Sequence, residues 1–224
     1  MEIERAIRFI WEDEDWLKKI FIAAVLSITG IGGIALIGWM AELARRVADN
    51  EENPLPDWND IGKYFITGLK YTAVVLIWAL PIIILVLFTS ILTVVAASMD
   101  DPGPMLVFVS ISSICIYVFV FVYTLIITLL AMPLWVRLAE EIPFGDLVNP
   151  VGTWELLRAN LGGYLIAMLV SWLVVFAASL GTIACVVGVF FTGALAQAIF
   201  AHLAGQATAQ ARLNLENKPA VEAE

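Results

Sequence analysis

YTAVVLIWALPIIILVLFTSILTVVAASM, residues 71–99, runs for 29 positions without one Asp, Glu, Lys, Arg or His. A helix on the surface of a soluble protein carries a polar stripe, and this one has none. About 20 apolar residues cross a bilayer core, so the run is more than long enough to span one, and its length predicts tilt or extension past the core. Pro81 sits inside it and is expected to kink it. Three further stretches have the same character. Residues 105–136 are uncharged, 161–200 form a 40-residue apolar stretch long enough for two spans, and Ile20 to Ala41 form a shorter one. The expected fold is an all-α, polytopic transmembrane helix bundle of five to six membrane segments.

Composition agrees. Of 224 residues, 61% are hydrophobic and 15% charged, against roughly half and a quarter in soluble domains. The net charge of −9 excludes nucleic acid, whose binders need clustered Lys and Arg. The first 19 residues are acidic throughout and do not read as a signal peptide. Residues 1–212 are read as one transmembrane helical domain and 213–224 as a disordered cytoplasmic tail.

The segments between the apolar runs have their own signals. In residues 3–11, Ile3, Ile7 and Ile10 or Trp11 share a face away from Glu4, Arg5 and Arg8, which predicts a short amphipathic helix in the membrane interface. Pro54 and Pro56 forbid a continuous helix through the loop at 49–60, and Asp57 or Asn59 is expected to cap the next one. Thr153 is expected to cap a second short helix, WELLRAN. Turns are expected at Asp100–Pro104 and at Leu180-Gly181-Thr182. Gly30, Gly32 and Gly33 crowd three helix-weakening residues into four positions and predict a break in the first apolar stretch.

The basic residues decide orientation. Neither the 100–104 turn nor the turn at Gly181 contains Lys or Arg. If both lie outside, Arg45, Arg46, Lys63, Lys70, Arg137, Arg158, Arg212 and Lys218 all lie inside, as the positive-inside bias requires. Arg5, Arg8, Lys18 and Lys19 join them if the first stretch turns back at its glycines. The hairpin is favoured over a single crossing, with both termini cytoplasmic, although 22 residues are short for two passes. The expected location is the cell membrane, in bacteria the inner one. Residues 27–48 and 179–204 are weakly alike; duplication and the low complexity of membrane sequence both account for that.

No Asp, Glu, Lys or Arg falls inside the apolar runs, which disfavours a proton-coupled pump. The few Ser and Thr residues there are read as helix–helix contacts, and Cys115 and Cys185 as small buried hydrophobes. Trp11, Trp16, Trp39, Trp58, Trp135 and Trp154 are expected in an interfacial belt, with Trp78 and Trp172 packed deeper. His202 is the one histidine. It reads either as an interfacial hydrogen-bonding group or as an axial ligand for a pigment or haem.

The loop EENPLPDW at 51–58, Gly68-Leu69-Lys70 and the late run Ala201-His202-Leu203-Ala204-Gly205-Gln206 resemble the bacterial and archaeal membrane-protein family catalogued only as domain of unknown function 4013. The Pro-x-Pro-x-Trp loop, with Trp58, and the His-Leu-x-Gly-Gln run carry the resemblance, which covers most of the chain. Members often have Pro where this chain has Thr29 or Gly33, another helix breaker. The resemblance implies a polytopic bundle and names no activity, cofactor or catalytic residue. The expected function is therefore non-catalytic: a scaffold or accessory subunit in a membrane complex, with membrane lipids and other membrane subunits as partners. A facilitator of a lipid or small apolar solute is the alternative, and a pigment-binding subunit using His202 a third. No enzyme activity, cofactor or metal site is expected.

Overall fold

The computed structural model describes residues 2–99, 101, 103–140, 142–179, 181 and 186–217. Every element among them is an α-helix. In chain order these are α1 (Ile3–Glu12), α2 (Trp16–Ile28), α3 (Gly30–Ala48), α4 (Ile61–Ala97), α5 (Gly103–Ala139), α6 (Phe144–Val148), α7 (Val151–Ala159), α8 (Leu161–Ser179) and α9 (Val186–Glu216). Four are long and apolar enough to cross a membrane: α4, α5, α8 and α9 from Gly188. They fit an integral, multi-pass membrane protein. The expected turns at 100–104 and 180–182, Cys185 and the end of the tail from 218 fall wholly or partly outside the described residues. By contacts the chain forms two compact units, one of residues up to Val74 and from Leu129 onward, the other Val75–Thr128.

In the first unit, α9 is the hub and packs against α1, α2, α3, α7 and α8. Most of its buried positions are small, Ala194, Ala198, Ala201, Ala204, Ala207 and Ala211 among them, with His202 and Leu203 the large ones. Gly205 continues that row, and a methyl there would press on the Ala44 carbonyl and on Val47 of α3. Gly38 and Gly68 do the same for α3 and α4. A side chain on Gly38 would strike the Tyr64 carbonyl, and one on Gly68 the Ile34 carbonyl. Small residues let helix backbones approach, and in lipid that contact is a main source of association.

The apolar stretch 20–41 is divided between α2 and α3 at Thr29, which is extended at φ −94°, ψ 129°. Its hydroxyl accepts from the Gly32 amide at 3.1 Å and so caps α3. Gly32 has no room for a side chain, because a Cβ would meet both Thr29 Oγ1 and the Leu26 carbonyl. Gly30, Gly32 and Gly33 therefore form the first turn of α3, and the interruption sits one residue ahead of them. At the other end of α3, Asn50 adopts φ 58° and turns the chain away; Asn is among the residues that tolerate this region.

Helix α7 begins at Val151, two residues before the expected cap. Pro150 is already helical at φ −72°, ψ −8°, and the Asn149 carboxamide accepts from the Val151 amide at 3.1 Å. A proline with its preset φ starts the helix early. Thr153 lies inside it, fully buried, with its hydroxyl accepting from Arg137 at 2.8 Å.

In the second unit, the Tyr123 hydroxyl on α5 donates to the Trp78 carbonyl on α4 at 3.0 Å. Pro81 lies within α4. The hydroxyls of Thr89, Ser90, Thr93, Ser110 and Ser112 bond to carbonyls of their own helix three or four residues back, not to a neighbour. Cys115 is exposed rather than buried. In the first unit, Trp172 is likewise exposed, so these two expectations are corrected.

Replacing Gly205 by Val should lower stability by about 2–3 kcal/mol, because neither the Ala44 carbonyl nor the α3 backbone can yield. Gly62→Ala, where nothing lies within 4 Å, should be neutral or slightly stabilising. Thermal unfolding in mild detergent measures both.

Candidate functional site

Three polar assemblies hold the first unit together. The first closes the mouth of the α2–α3 pair. Lys19 lies ten residues before Thr29 and Trp39 ten after it, yet both meet the same loop. Lys19 Nζ donates to the Leu55 carbonyl at 3.0 Å, and the Trp39 indole N–H to the Pro56 carbonyl at 2.9 Å. The Trp58 indole donates back to the Lys19 carbonyl at 2.9 Å while its ring stacks on Trp39, 5.3 Å between centroids. Pro54 and Pro56 are buried and, as prolines, bring no amide hydrogens that would need partners. The two helices thus fold back on each other. Lys19 also pairs with Asp13 at 2.6 Å and Asp57 at 3.0 Å. Burial works against its ammonium, but hydrogen bonds and charge from the two carboxylates outweigh it and raise its pKa.

The second assembly is an ion-pair network. Buried Glu42 receives Arg45 at 2.8 Å and Arg46 at 3.1 Å. Arg45 continues to Asp49 and Glu51. Arg212 of α9 joins Asp49 to Glu140. Burial alone would raise the Glu42 pKa; the two guanidiniums reverse this and hold it below the usual carboxylate value.

The third assembly surrounds His202. The ring is 2% exposed and lies 4.4 Å, centroid to centroid, from Phe9 of α1. Gln206, one turn on, makes a reciprocal pair with the start of α1: its carbonyl accepts from the Glu2 amide at 2.8 Å, and its NH₂ donates to the Glu2 carbonyl at 3.1 Å. The same NH₂ lies 3.3 Å from His202 Nδ1. The Tyr164 hydroxyl on α8 meets Thr208 on α9 at 2.9 Å, and Asn160 donates to the Ala207 carbonyl at 2.9 Å. Beside this cluster a cavity of about 430 Å³ opens between α1, the loop after α3, the start of α8 and α9.

The predicted residues thus separate. Pro54, Pro56 and Trp58 meet around Lys19, and His202 stands at the cavity. Gly181 packs on Thr192, whose hydroxyl bonds to the Ala178 carbonyl of α8 at 2.9 Å. Pro81 belongs to the second unit. Lys19, Glu42 and Gln206 are the residues that sequence reading missed. The partners of Lys19 and Gln206 lie as far as 39 and 204 residues away, and only the His-x-x-x-Gln spacing, one helical turn, hinted at a pair. Among the described residues no group of three His, Cys, Asp or Glu is placed to hold a metal ion.

A family model described as "Protein of unknown function (DUF4013)" matches residues 21–187. No curated protein and no solved structure matches the chain.

Glu42→Gln should cost about 3 kcal/mol, since it leaves two guanidiniums facing a neutral amide. A carboxylate with a lowered folded-state pKa contributes stability at neutral pH and loses it as pH falls through that pKa. The unsubstituted chain should lose stability in acid and Glu42→Gln should show a flatter acid limb. Lys19, with a raised pKa, loses its contribution only at strongly alkaline pH, so Lys19→Met should alter the alkaline limb. Unfolding midpoints across pH measure both.

Proposed function

The chain belongs to the DUF4013 family, a membership that names no activity, and we propose that it is a non-catalytic scaffold or accessory subunit of a membrane complex. The observation carrying this is the bareness of α4 and α5. Of the most apolar 18-residue stretch in each, only 11% and 6% is buried, against 50% in α9. Both helices have 37 residues, or about 55 Å at 1.5 Å per residue, well beyond a bilayer core of about 30 Å. Surface of this kind is covered by lipid or by other membrane helices. Among the described residues of the first unit the two buried charges, Lys19 and Glu42, are each held by two ionic partners, which leaves neither as a free acid or base for chemistry. His202 has Phe9 against its ring and Gln206 at its Nδ1.

The same reading gives a topology. Helix α2 has 13 residues, about 20 Å, too short for the core. We read α2–α3 as a re-entrant hairpin, with Lys18, Lys19, Arg45 and Arg46 at its cytoplasmic mouth. Interrupted backbone at depth survives where protein covers it, and α9 packs on both helices. Both termini are then cytoplasmic.

Extraction in mild detergent should co-purify the chain with defined membrane subunits, identified by mass spectrometry; recovery solely as a lone homo-oligomer would count against the scaffold reading. For the topology, a cysteine at Glu14 in a Cys115→Ala, Cys185→Ala background should react with an impermeant maleimide only after cells are opened. Labelling of intact cells would refute the hairpin.

A further inference from the structure

The cavity beside His202 contains polar groups that the fold does not consume. The Gln206 carboxamide is oriented by its two bonds to the Glu2 backbone. Its NH₂ therefore faces His202 Nδ1, which must act as the acceptor, so the imidazole is neutral and its proton is on Nε2. No described residue accepts from that Nε2–H, and it is not among the enclosed, partnerless atoms. The ring lines the cavity, so its donor is left to whatever enters. Arg5 lines the same wall, held only loosely by Glu2 at 3.8 Å. These are two donors for an oxyanion, one buried and one exposed. Glu12 and Glu52 also line the cavity and are exposed. Neither takes part in a described ion pair. They are acceptors for a cation.

A ligand that satisfies both sets of groups carries a negative group and a protonated amine. A purely anionic ligand is opposed by the glutamates, and a purely cationic one leaves the His202 and Arg5 donors unanswered. The cavity also has apolar wall from Phe9 and Ile166. On the adjoining helix α1, Ile3, Ile7 and Trp11 are exposed along one face, the pattern of a helix resting in the interface. A volume of about 430 Å³ lies in the range of roughly 300–1,000 Å³ typical of small-molecule sites.

We propose that this cavity binds the headgroup of an aminophospholipid, with His202 Nε2–H and Arg5 on the phosphate and Glu12 and Glu52 on the primary ammonium. A soluble phosphoethanolamine shares that chemistry. The site is independent of the scaffold reading, because it concerns the bundle's polar end and not the bare faces of α4 and α5.

Delipidated protein in nonionic detergent is titrated with phosphatidylethanolamine, phosphatidylcholine and phosphatidylglycerol of identical chains, and with glycerophosphoethanolamine, and read by native mass spectrometry. The ethanolamine lipid should bind about tenfold tighter than the other two, the scale of one charge-assisted hydrogen bond. The Glu12→Gln, Glu52→Gln double variant, altered only at exposed positions, should lose the advantage over phosphatidylcholine with helicity intact. Arg5→Gln should weaken all three lipids. Competition by glycerophosphoethanolamine supports a site that reads the headgroup alone; binding confined to intact lipid supports one that also needs the chains. Equal affinity for the three lipids, or an ethanolamine preference that survives the double substitution, overturns the proposal.

Discussion

Close approach of helix backbones is the constraint on which the first unit rests. Between two apolar helices in lipid there is no hydrophobic gain from contact, because the displaced acyl chain is as apolar as the side chain replacing it. Association must come from dispersion at short range and from hydrogen bonds. Gly205 against the Ala44 carbonyl, Gly38 against Tyr64 and Gly68 against Ile34 supply the first. The second comes from polar side chains that reach the backbone of another segment: Trp39 the Pro56 carbonyl, Trp58 the Lys19 carbonyl and Gln206 the Glu2 amide. Each fails if the other is lost. A wider helix crossing would pull Gln206 from Glu2, and an unmade hydrogen bond would leave a buried polar group without a partner.

This division gives a packing role to the two short motifs on which the resemblance was read, of which the family match at 21–187 covers the Pro-x-Pro-x-Trp loop. In His-Leu-Ala-Gly-Gln, the three distinctive residues do three packing jobs on one helix. His202 lies under Phe9 of α1, Gly205 admits α3, and Gln206 grips the start of α1. In Pro-Leu-Pro-Asp-Trp, the carbonyls of Leu55 and Pro56 and the indole of Trp58 tie the base of α2 to the middle of α3. Both motifs join segments remote in sequence. Such residues are constrained by the geometry of the packing they make.

Sequence reading reached the helix class and the positions of the long runs because an uncharged run of 29 residues admits few other structures. The start of α4 at Ile61 was equally legible, since Pro56 forbids helix and a polar residue precedes the run. The reading went astray where two local signals competed. Three glycines drew attention from Thr29, whose hydroxyl makes the break while Gly32 clears space for it. Pro150 and Asn149 outbid Thr153 as the start of α7 because a preset φ acts before a side-chain cap is needed. Thr192 does reach the neighbouring α8 through the Ala178 carbonyl, but the hydroxyls of α4 and α5 misled for a different reason. A Ser or Thr can satisfy itself on the carbonyl one turn back, so its presence says nothing about a neighbour.

The cavity was illegible for a further reason, which bears on how the polar end works. Its buried donor depends on a tautomer, and the tautomer depends on an amide whose orientation is set by a backbone 204 residues away. Gln206 thereby couples structure to chemistry. The bonds that dock α1 also determine which nitrogen of His202 carries the proton. If α1 left its place, Phe9 would go with it and the imidazole would be free to adopt either tautomer. The amphipathic helix is therefore part of the proposed site, and a displacement of α1 would reach the one histidine in the chain through Gln206.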